Sequence, residues 1–316
     1  AFVSLAASNT SYKRVDYFNY LDSDPNQETD FYNFFGYQIK GGANYNFTRS
    51  SGVFANIGYF EKAPFFDSVF LNFVNDVNPD AENQKIFSVE AGYTFRNDKF
   101  RANVNAYRTN WNDRSLTYSY NNPDGSLGVA NILGVNALHQ GLELDFEYRP
   151  TDELSITGFG SFGDWTWADD VTGVQIFDEE QNLVDEINLY IGGDKVGGQP
   201  QTTAGLGFDY EFLEDMRLRA NGNYFADFYS DFDPVSRNNP DAVEVWKLPA
   251  FATLDVGLTY DFDFGGFKTT LNANVYNLTN TEYIANAQNG LGNDANTALV
   301  WYGFERTWTV GAKLNF

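Results

Sequence analysis

The sequence predicts an all-β fold, an antiparallel transmembrane β-barrel, on the basis of three observations. Apolar and polar residues alternate along many segments, these segments are long, and the connections between them are alternately short and long. Alternation with a period of two is typical of strands with one apolar face. Long alternating strands with tight turns at one end and long loops at the other are typical of barrels in outer membranes.

The hairpin centred on Gly265 and Gly266 shows the alternation most clearly. The stretch "TLDVGLTYDFDF" (253–264) places apolar residues on one face, and "FKTTLNANVYNL" (267–278) repeats the pattern after the turn. Two consecutive glycines suit a tight turn between antiparallel strands. Other segments with this alternation are "FSVEAGYTF" (87–95), "FRANVNAY" (100–107), "GLELDFEY" (141–148), "TAGLGFDYEF" (203–212) and "MRLRANGNY" (216–224).

We expect about twelve strands, many of them roughly 12 to 18 residues long, which exceeds the usual length in globular proteins. The whole chain, residues 1–316, is predicted to be a single barrel portion with short turns on the periplasmic side. The short turns are expected at 48–52, 97–99, 151–153, 213–215 and 265–266. The long extracellular loops are expected near 21–33, 63–84, 118–131, 168–200, 233–246 and 285–300.

The composition favours a wall that contacts both lipid and water. Aromatic residues make up 18% of the chain, yet the mean hydropathy is -0.41. Many rings on a polar background suit the aromatic belts of membrane interfaces. A soluble β-sandwich or propeller is the alternative, but the strands of a sandwich would be shorter and its outer face polar. No run of 18 apolar residues occurs in the sequence, which excludes a transmembrane helix.

The net charge of -23 excludes nucleic acid as a partner, because phosphates require Lys and Arg. The acidic residues cluster in the predicted loops, for example in "DSDPNQETD" (22–30) and "FDEE" (177–180). We expect these loops to be hydrated, or to bridge through divalent cations to lipopolysaccharide. Cysteine is absent from the sequence, which excludes disulfides and thiolate metal sites.

The first acidic loop contains oxygen ligands at a spacing that suits calcium. Asp22, Asp24, Asn26 and Glu28 occupy alternate positions there. Gln27 stands where a calcium-binding loop usually has glycine, so a solvated acidic loop is the favoured interpretation. Apart from a divalent cation in these loops, no cofactor is expected.

A ligand-binding site is predicted at "WTWADD" (165–170), which begins a long acidic loop. Trp165 and Trp167 can stack on sugars or aromatic ligands, and Asp169 and Asp170 can accept hydrogen bonds or pair with cations. The alternative interpretation places both tryptophans in the outer interfacial belt, with the acidic residues merely hydrated.

An enzyme is not predicted. His139 is the single histidine, and its position at the start of a predicted strand favours a rim or lumen residue. No Gly-x-Ser-x-Gly nucleophile elbow occurs in the sequence. Carboxylate pairs are so numerous that none of them points to acid–base catalysis.

Five segments, in order along the chain, resemble the barrel of the TonB-dependent outer-membrane receptors. In the first of them, Glu61 and Lys62 stand where the family more often has arginine. The five segments are "FEKAPFFDSVF" (60–70), "NPDAENQKIFSVEAGYTF" (78–95), "HQGLELDFEYRPTDELSITGFGSF" (139–162), "NANVYNLTNTEYI" (272–284) and "GFERTWTVGAKLNF" (303–316).

The resemblance implies a barrel of about 22 strands in the outer membrane of a Gram-negative bacterium. It also implies a plug and first strands outside this chain, and coupling to the TonB energy complex through the N-terminal part. A complete twelve-strand barrel is the alternative. The implied function is active uptake of a scarce nutrient, such as a siderophore, cobalamin, oligosaccharide or peptide. Passive porin-like diffusion, or surface assembly and adhesion with a lipoprotein partner, remain open.

The last strand is expected to close the barrel by pairing with the first. Trp308, Val310, Leu314 and Phe316 alternate with polar residues, and they would face the outer-membrane lipid. Arg306 stands at the arginine that the family has near this strand. The resemblance further implies that the barrel-assembly machinery recognises the terminal aromatic residue.

Deletion of Phe316 is expected to lower the amount of assembled barrel more than it lowers the ligand affinity of the molecules that do assemble. The reason is that the resemblance assigns the terminal aromatic residue to recognition during assembly, whereas the ligand is expected at the extracellular loops. Heat-modifiable mobility of the membrane fraction measures assembly. Normal assembly with reduced affinity would contradict this prediction.

Overall fold

The protein is described by a computed structural model over residues 1–70, 74–121, 127–178 and 182–315. Within these ranges helix is confined to Phe66–Val69 and a 3₁₀ turn at Pro234–Arg237, and no helix is long and apolar enough to cross a membrane. The strands are β1 (Phe2–Tyr12), β2 (Tyr32–Asn46), β3 (Ser51–Lys62), β4 (Gln84–Arg96), β5 (Phe100–Asn121), β6 (Leu127–Tyr148), β7 (Leu154–Trp167), β8 (Val171–Phe177), β9 (Leu183–Leu189), β10 (Pro200–Leu213), β11 (Met216–Phe228), β12 (Phe251–Phe264), β13 (Phe267–Tyr276), β14 (Ile284–Gln288), β15 (Leu299–Tyr302) and β16 (Thr307–Asn315).

The predicted all-β antiparallel fold is confirmed. Twelve strands follow one another in a continuous path from β1 to β16, with the β8–β9 hairpin attached to β6 and with β14 and β15 forming a separate small sheet. Among the described residues, β1 pairs with β2 alone and β16 pairs with β13 alone. The sheet is therefore open between β1 and β16, and these pairings do not match the alternative of a complete twelve-strand barrel.

The connections alternate between tight turns at one end of the sheet and long segments at the other. Gly265 and Gly266 both have positive φ, 60° and 89°, which the turn between β12 and β13 requires. Three ranges expected as long loops contain strand: β5 and β6 extend into 118–131, β8 and β9 lie within 168–200, and β14 and β15 reach into 285–300. Beyond the lipid these segments still pair with one another, since pairing satisfies their backbone groups.

One face of the sheet carries a ladder of polar side chains. Asn105 donates hydrogen bonds to Glu90 (3.0 Å) and Glu143 (3.2 Å), and so links three adjacent strands. Further along the wall, Arg219 donates to Asp209 at 2.6 Å. Such groups need water, and the interior of a barrel in a membrane supplies it. This face is therefore the lumen.

The opposite face is apolar. Ala106 pairs with Leu142, and Leu142 pairs with Phe162, so that three strands align their apolar residues in one row. Leu142 and Phe162 are each 56% exposed, as expected for side chains whose solvent is lipid. Because side chains alternate between faces, the same register that forms the polar ladder also forms this apolar band.

The outer ends of β5–β7 and the β8–β9 hairpin fold together into a cap with its own hydrophobic core. Ile132, Val135, Leu189 and Ile191 are fully buried there, together with Trp167. The segment after β11 completes this core. Residues that sequence alone assigns to exposed loops are thus held in a packed unit above the lipid.

Substitution of Leu144 by Arg is expected to destabilise the folded protein by about 2–4 kcal/mol, because Leu144 lies within the apolar band, between Leu142 and Phe146 on the same face. The matched control is Ser161→Arg on the lumen face, where Ser161 pairs with Glu143 and a cation is compatible. Urea unfolding in liposomes measures both variants. Equal destabilisation by the two would show that the faces are assigned wrongly.

Candidate ligand-binding site

Three aromatic residues form a cluster at the outer end of the lumen face. Trp111, His139 and Trp165 lie on β5, β6 and β7, and we call them the aromatic cluster. The ring centroid of His139 is 5.4 Å from that of Trp165 and 6.3 Å from that of Trp111. His139 and Trp165 are paired directly across the two strands. All three side chains lie on the polar lumen face. Side chains alternate between the two faces along a strand, and each of these residues is an even number of positions from a polar lumen residue of the same strand.

Hydrogen bonds fix the two indole rings. The Nε1–H of Trp165 donates to the Tyr107 hydroxyl at 2.9 Å, and the Nε1–H of Trp111 donates to Oε1 of Gln84 at 2.9 Å. The backbone N–H of Trp165 donates to Oε1 of Gln201 at 2.8 Å. Gln84 and Gln201 are buried. The orientation of the rings is therefore set before any ligand arrives.

Arg114 places a cation beside the aromatic cluster. Its guanidinium carbon lies 4.6 Å from the ring centroid of Trp111 and 5.0 Å from that of Trp167. Both distances are within the range of cation–π attraction. A shift of the β5–β6 register around Asp113, whose φ is 55°, brings Arg114 to this position.

The predicted tryptophans have different environments. Trp165 belongs to the aromatic cluster and is partly exposed, whereas Trp167 is only 4% exposed and lies in the cap core. The ring of Trp167 packs edge-on against Phe232 at 5.5 Å. Trp167 therefore stabilises the cap, and of the two rings Trp165 is the one that a ligand in the lumen can contact.

The predicted aspartates are exposed but engaged in local structure. Asp169 accepts a hydrogen bond from the Asn136 amide at 2.9 Å, and Asp170 accepts one from the Gly192 backbone N–H at 2.8 Å. Trp165 is held by other residues, Tyr107 and Gln201, and Trp167 is held by the cap core. The four predicted residues are thus positioned by separate sets of contacts.

Tyr107, Trp111 and Arg114 were not predicted from the sequence. The alternation of "FRANVNAYRTNW" (100–111) carries the signal for the first two, because Tyr107 and Trp111 share a face with Asn105. Arg114 follows the register shift at Asp113, which interrupts the alternation of side chains between the two faces of the strand. His139 was expected at a rim or in the lumen, and it lies on the lumen face. Its Nδ1 is buried and has no hydrogen-bond partner in the described part of the chain.

The predicted calcium ligands of the first acidic loop are engaged in separate local contacts. Asp24 accepts from the Asn26 backbone N–H at 2.9 Å, Asp22 accepts from the Gln27 side chain at 3.1 Å, and Glu28 pairs with Lys13. Among the described residues, no group of three or more His, Cys, Asp or Glu side chains is placed to hold a metal ion. The carboxylates shape the loop instead.

The last strand pairs with β13 from Thr307 to Asn315. Trp308, Val310 and Leu314 are exposed on one face, at 72%, 70% and 49%. Arg306 precedes the strand, and its backbone N–H donates to Asn280 at 2.9 Å. Pairing with β1, which barrel closure would require, does not occur between the described residues of the two strands. Phe316 lies outside the described residues.

A buried ion pair ties three outer segments of the cap together. Arg237 is 1% exposed, and its guanidinium lies 3.0 Å from Oδ2 of Asp194. It also donates to the Val243 carbonyl and to the Asn293 side chain, each at 2.7 Å. Burial raises the pKa of Asp194 to about 6, against the opposing effect of Arg237 and with a further rise from Glu244.

An apolar outer face, a polar inner face and a continuous antiparallel sheet are the features of the wall of an outer-membrane β-barrel. The sequence matches the family model "TonB dependent receptor-like, beta-barrel" over residues 12–278, so the chain belongs to the TonB-dependent receptor family. Members of this family reside in the outer membrane of Gram-negative bacteria, which is the location of this protein. The resemblance inferred from the sequence is confirmed.

Relatives support the family and the fold. An uncharacterized TonB-dependent receptor of Haemophilus influenzae is 23% identical over 245 residues, which cover 76% of this chain and 62% of that receptor. The copper transporter OprC is 16% identical with a TM-score of 0.67, covering 99% of this chain and 44% of that one. The ferric-catecholate import receptor Fiu of Escherichia coli K12 is 16% identical with a TM-score of 0.63, covering 99% and 42%. The chain thus spans about half the length of these proteins.

Substitution of Arg237 by Met is expected to loosen the cap more at pH 7.5 than at pH 5. At pH 7.5 it leaves the Asp194 carboxylate charged and unpaired, at a cost of about 3 kcal/mol. At pH 5 the cost is smaller, because a group with a raised pKa takes up a proton in the folded cap below about pH 6. Hydrogen exchange of residues 229–250, corrected for intrinsic rates, measures the effect.

The matched control is Arg49→Met, since Arg49 is exposed in the turn between β2 and β3. It removes the same side chain far from the cap. An equal loss of protection at the two pH values in Arg237→Met would contradict the role of Asp194.

Proposed function

We propose that the protein is the outer-membrane receptor and transporter for active uptake of a scarce nutrient, with the aromatic cluster as part of its ligand site. The observation that carries the proposal is the placement of Trp111, His139 and Trp165 on the lumen face at the outer end of the wall. A ligand captured from outside meets this position before it can enter the lumen. Siderophores, cobalamin, oligosaccharides and peptides are the candidate ligands.

The chemistry of the cluster favours a ligand with a flat face. Indole rings stack on planar groups and on the apolar faces of sugars. Arg114 adds a cation, and the buried Nδ1 of His139 adds a polar atom that has no partner among the described residues. Rings that are already fixed by Tyr107 and Gln84 lose little conformational entropy on binding.

A bare soft metal ion is a poorer fit to this part of the protein. Copper(I) prefers thiolate and thioether ligands. The chain has no Cys, one Met and one His. Met216 begins β11 beside a tight turn, at the end of the sheet opposite the cap. The similarity to a copper transporter therefore supports the fold, and a chelated or organic ligand suits the residues better.

In the proposed cycle, the loops and the aromatic cluster capture the ligand, and the TonB energy complex supplies the force that opens the lumen. That complex would act through parts of the receptor outside this chain. The barrel-assembly machinery and a surface lipoprotein are further proposed partners. A passive channel of about twelve strands is less well supported, because β1 and β16 lack a second partner among the described residues.

Substitution of Trp165 by Ala is expected to weaken ligand binding roughly tenfold, because it removes one stacking surface. The full-length receptor is screened with ferric siderophores, cobalamin, oligosaccharides and peptides by intrinsic fluorescence, and affinity for the bound compound is then compared. Uptake by intact cells is measured with and without an uncoupler. Binding should persist with the uncoupler, whereas uptake should stop.

The matched control is Trp308→Ala, which removes an exposed tryptophan from the lipid-facing side of β16. Its affinity should equal that of the unmodified receptor. Uptake that continues without an energy source, together with ion conductance in planar bilayers, would support a passive channel and contradict the proposal.

A further inference from the structure

A cavity of about 480 Å³ opens on the lumen face at the outer ends of β13 and β16. Asp255 of β12, Tyr276 of β13 and Thr307 of β16 line it from three neighbouring strands. Tyr276 is paired with Thr307, and Asp255 is paired with Asn221, which lies two residues from Arg219 of the lumen face. Along the wall, β10 and β11 separate this cavity from the aromatic cluster. The cavity is therefore a distinct part of the lumen.

Aromatic rings form much of the surface of this cavity. The rings that line it are those of Tyr276, Tyr283 and Phe304. The ring of Tyr283 stacks on that of Phe251, with centroids 4.3 Å apart and planes at 17°, and Phe251 stacks in turn on Phe225 at 4.9 Å. A Cβ at Gly303 would lie 2.0 Å from Cζ of Tyr283, so this ring also packs directly against the backbone of Gly303. The orientation of Tyr283 is therefore fixed from two sides.

Asn277 holds the outer wall of the cavity in place. It is 5% exposed and has a φ of 49°, so the chain turns sharply after β13. Its Nδ2 donates to the Thr281 carbonyl at 2.8 Å and to the Phe304 carbonyl at 3.3 Å, and its Oδ1 accepts from the Thr281 backbone N–H at 2.9 Å. Its own backbone N–H donates to Oδ1 of Asp255 at 2.8 Å. One buried amide thus links the floor of the cavity to its rim.

Two carboxylates, Asp255 and Glu305, complete the lining. Neither of them forms an ion pair with a Lys or Arg of the described residues. The cation next to Glu305 in the chain, Arg306, does not line the cavity as the structure describes it, and its Nη1 donates to the Leu278 carbonyl at 3.4 Å. The cavity therefore combines aromatic rings with uncompensated negative charge.

We propose that this cavity binds a methylated ammonium group of an organic ligand, with the cation among the three rings and opposite the two carboxylates. We call it the cation pocket, defined by Asp255, Tyr276, Tyr283, Phe304 and Glu305. The proposal rests on the proposed function, because the ammonium group would belong to the nutrient that enters the lumen from outside. It adds a second contact to that of the aromatic cluster and assigns the nutrient a positive charge.

The chemistry of the lining favours this kind of cation. The face of an aromatic ring attracts a cation, and several rings around one ammonium group are used to recognise quaternary ammonium ligands. Methyl groups on the nitrogen contact the rings and weaken its hydration, so that less free energy is lost when the group leaves water. The acidic loops at the same end of the wall raise the local concentration of cations.

Other small ligands fit the cavity less well. An anion would meet Asp255 and Glu305 with no cation of the described lining to balance them. Calcium takes six to eight oxygen ligands, and magnesium requires an octahedral set. In the ranges that the structure covers, no three His, Cys, Asp or Glu side chains are placed to hold a metal ion. An organic cation uses the rings as well as the carboxylates.

The test uses the full-length receptor in nanodiscs and three probes that share a hydroxyethyl group. Choline carries a trimethylated ammonium, ethanolamine carries a primary ammonium, and 3,3-dimethyl-1-butanol has the shape of choline without its charge. Affinities are measured by isothermal titration calorimetry. Choline should bind roughly tenfold more tightly than either of the other two. Equal affinity for the uncharged probe would overturn the role of the carboxylates, and equal affinity for ethanolamine would overturn the role of the rings.

Variants with matched controls locate the bound probe. Glu305→Gln and Tyr276→Leu should each lower choline affinity roughly tenfold. Glu282→Gln neutralises an exposed carboxylate outside the described lining, and Tyr224→Leu removes a lipid-facing ring that is 46% exposed, against 45% for Tyr276. Both controls should bind choline normally.

Equal choline affinity in all variants, or no choline binding to the full-length receptor, would overturn the cation pocket. Choline is titrated without the nutrient, so this failure leaves the result for Trp165→Ala and the energy dependence of uptake unaffected. Uptake without an energy source would contradict the proposed function instead. The two failures are therefore distinguishable.

Discussion

The hydrogen-bonded register between neighbouring strands is the constraint on which the rest of the structure depends. In lipid, each backbone N–H and C=O must be satisfied within the protein, and the continuous pairing does this for the wall strands that lie between β1 and β16. Because side chains alternate, one register decides both faces at once. The alignment that joins Ala106, Leu142 and Phe162 on the lipid side also joins Asn105 with Glu143 in the lumen. A slip of one residue would place carboxylates in hydrocarbon.

The functional features arise where this regular pattern is interrupted. The bulge at Asp113 shifts the β5–β6 register and brings Arg114 beside Trp111, at the point where the wall leaves the lipid. Outside the lipid, backbone groups can be satisfied by water or by loop partners, so the strands are free to bend. The cap and the aromatic cluster both lie in this region. Hydrocarbon thus constrains the structure of the wall, whereas water surrounds the region that contains the cap and the aromatic cluster.

Much of the wall could be predicted from the sequence, because a period of two is a local property. The alternation around Gly265 gave the hairpin, and the count of about twelve wall strands agrees with the pairing. The site was predicted only in part. Trp165 follows its strand's alternation and lies on the lumen face, whereas Trp167 is buried by Phe232, a contact 65 positions away in the chain. The position of Arg114 depends on the positive φ of Asp113. The composition of the sequence does not predict that backbone conformation.

The separate core of the cap has a practical meaning for the handling of the protein. The wall is stabilised in contact with hydrocarbon, but Ile132, Leu189 and Ile191 are stabilised by their removal from water, as in a soluble domain. A detergent that mimics lipid well can preserve the wall and still dissolve the cap, because its monomers compete for the same apolar side chains. Purified material could then retain its strand signal while its outer surface has lost the shape that antibodies raised against whole cells recognise.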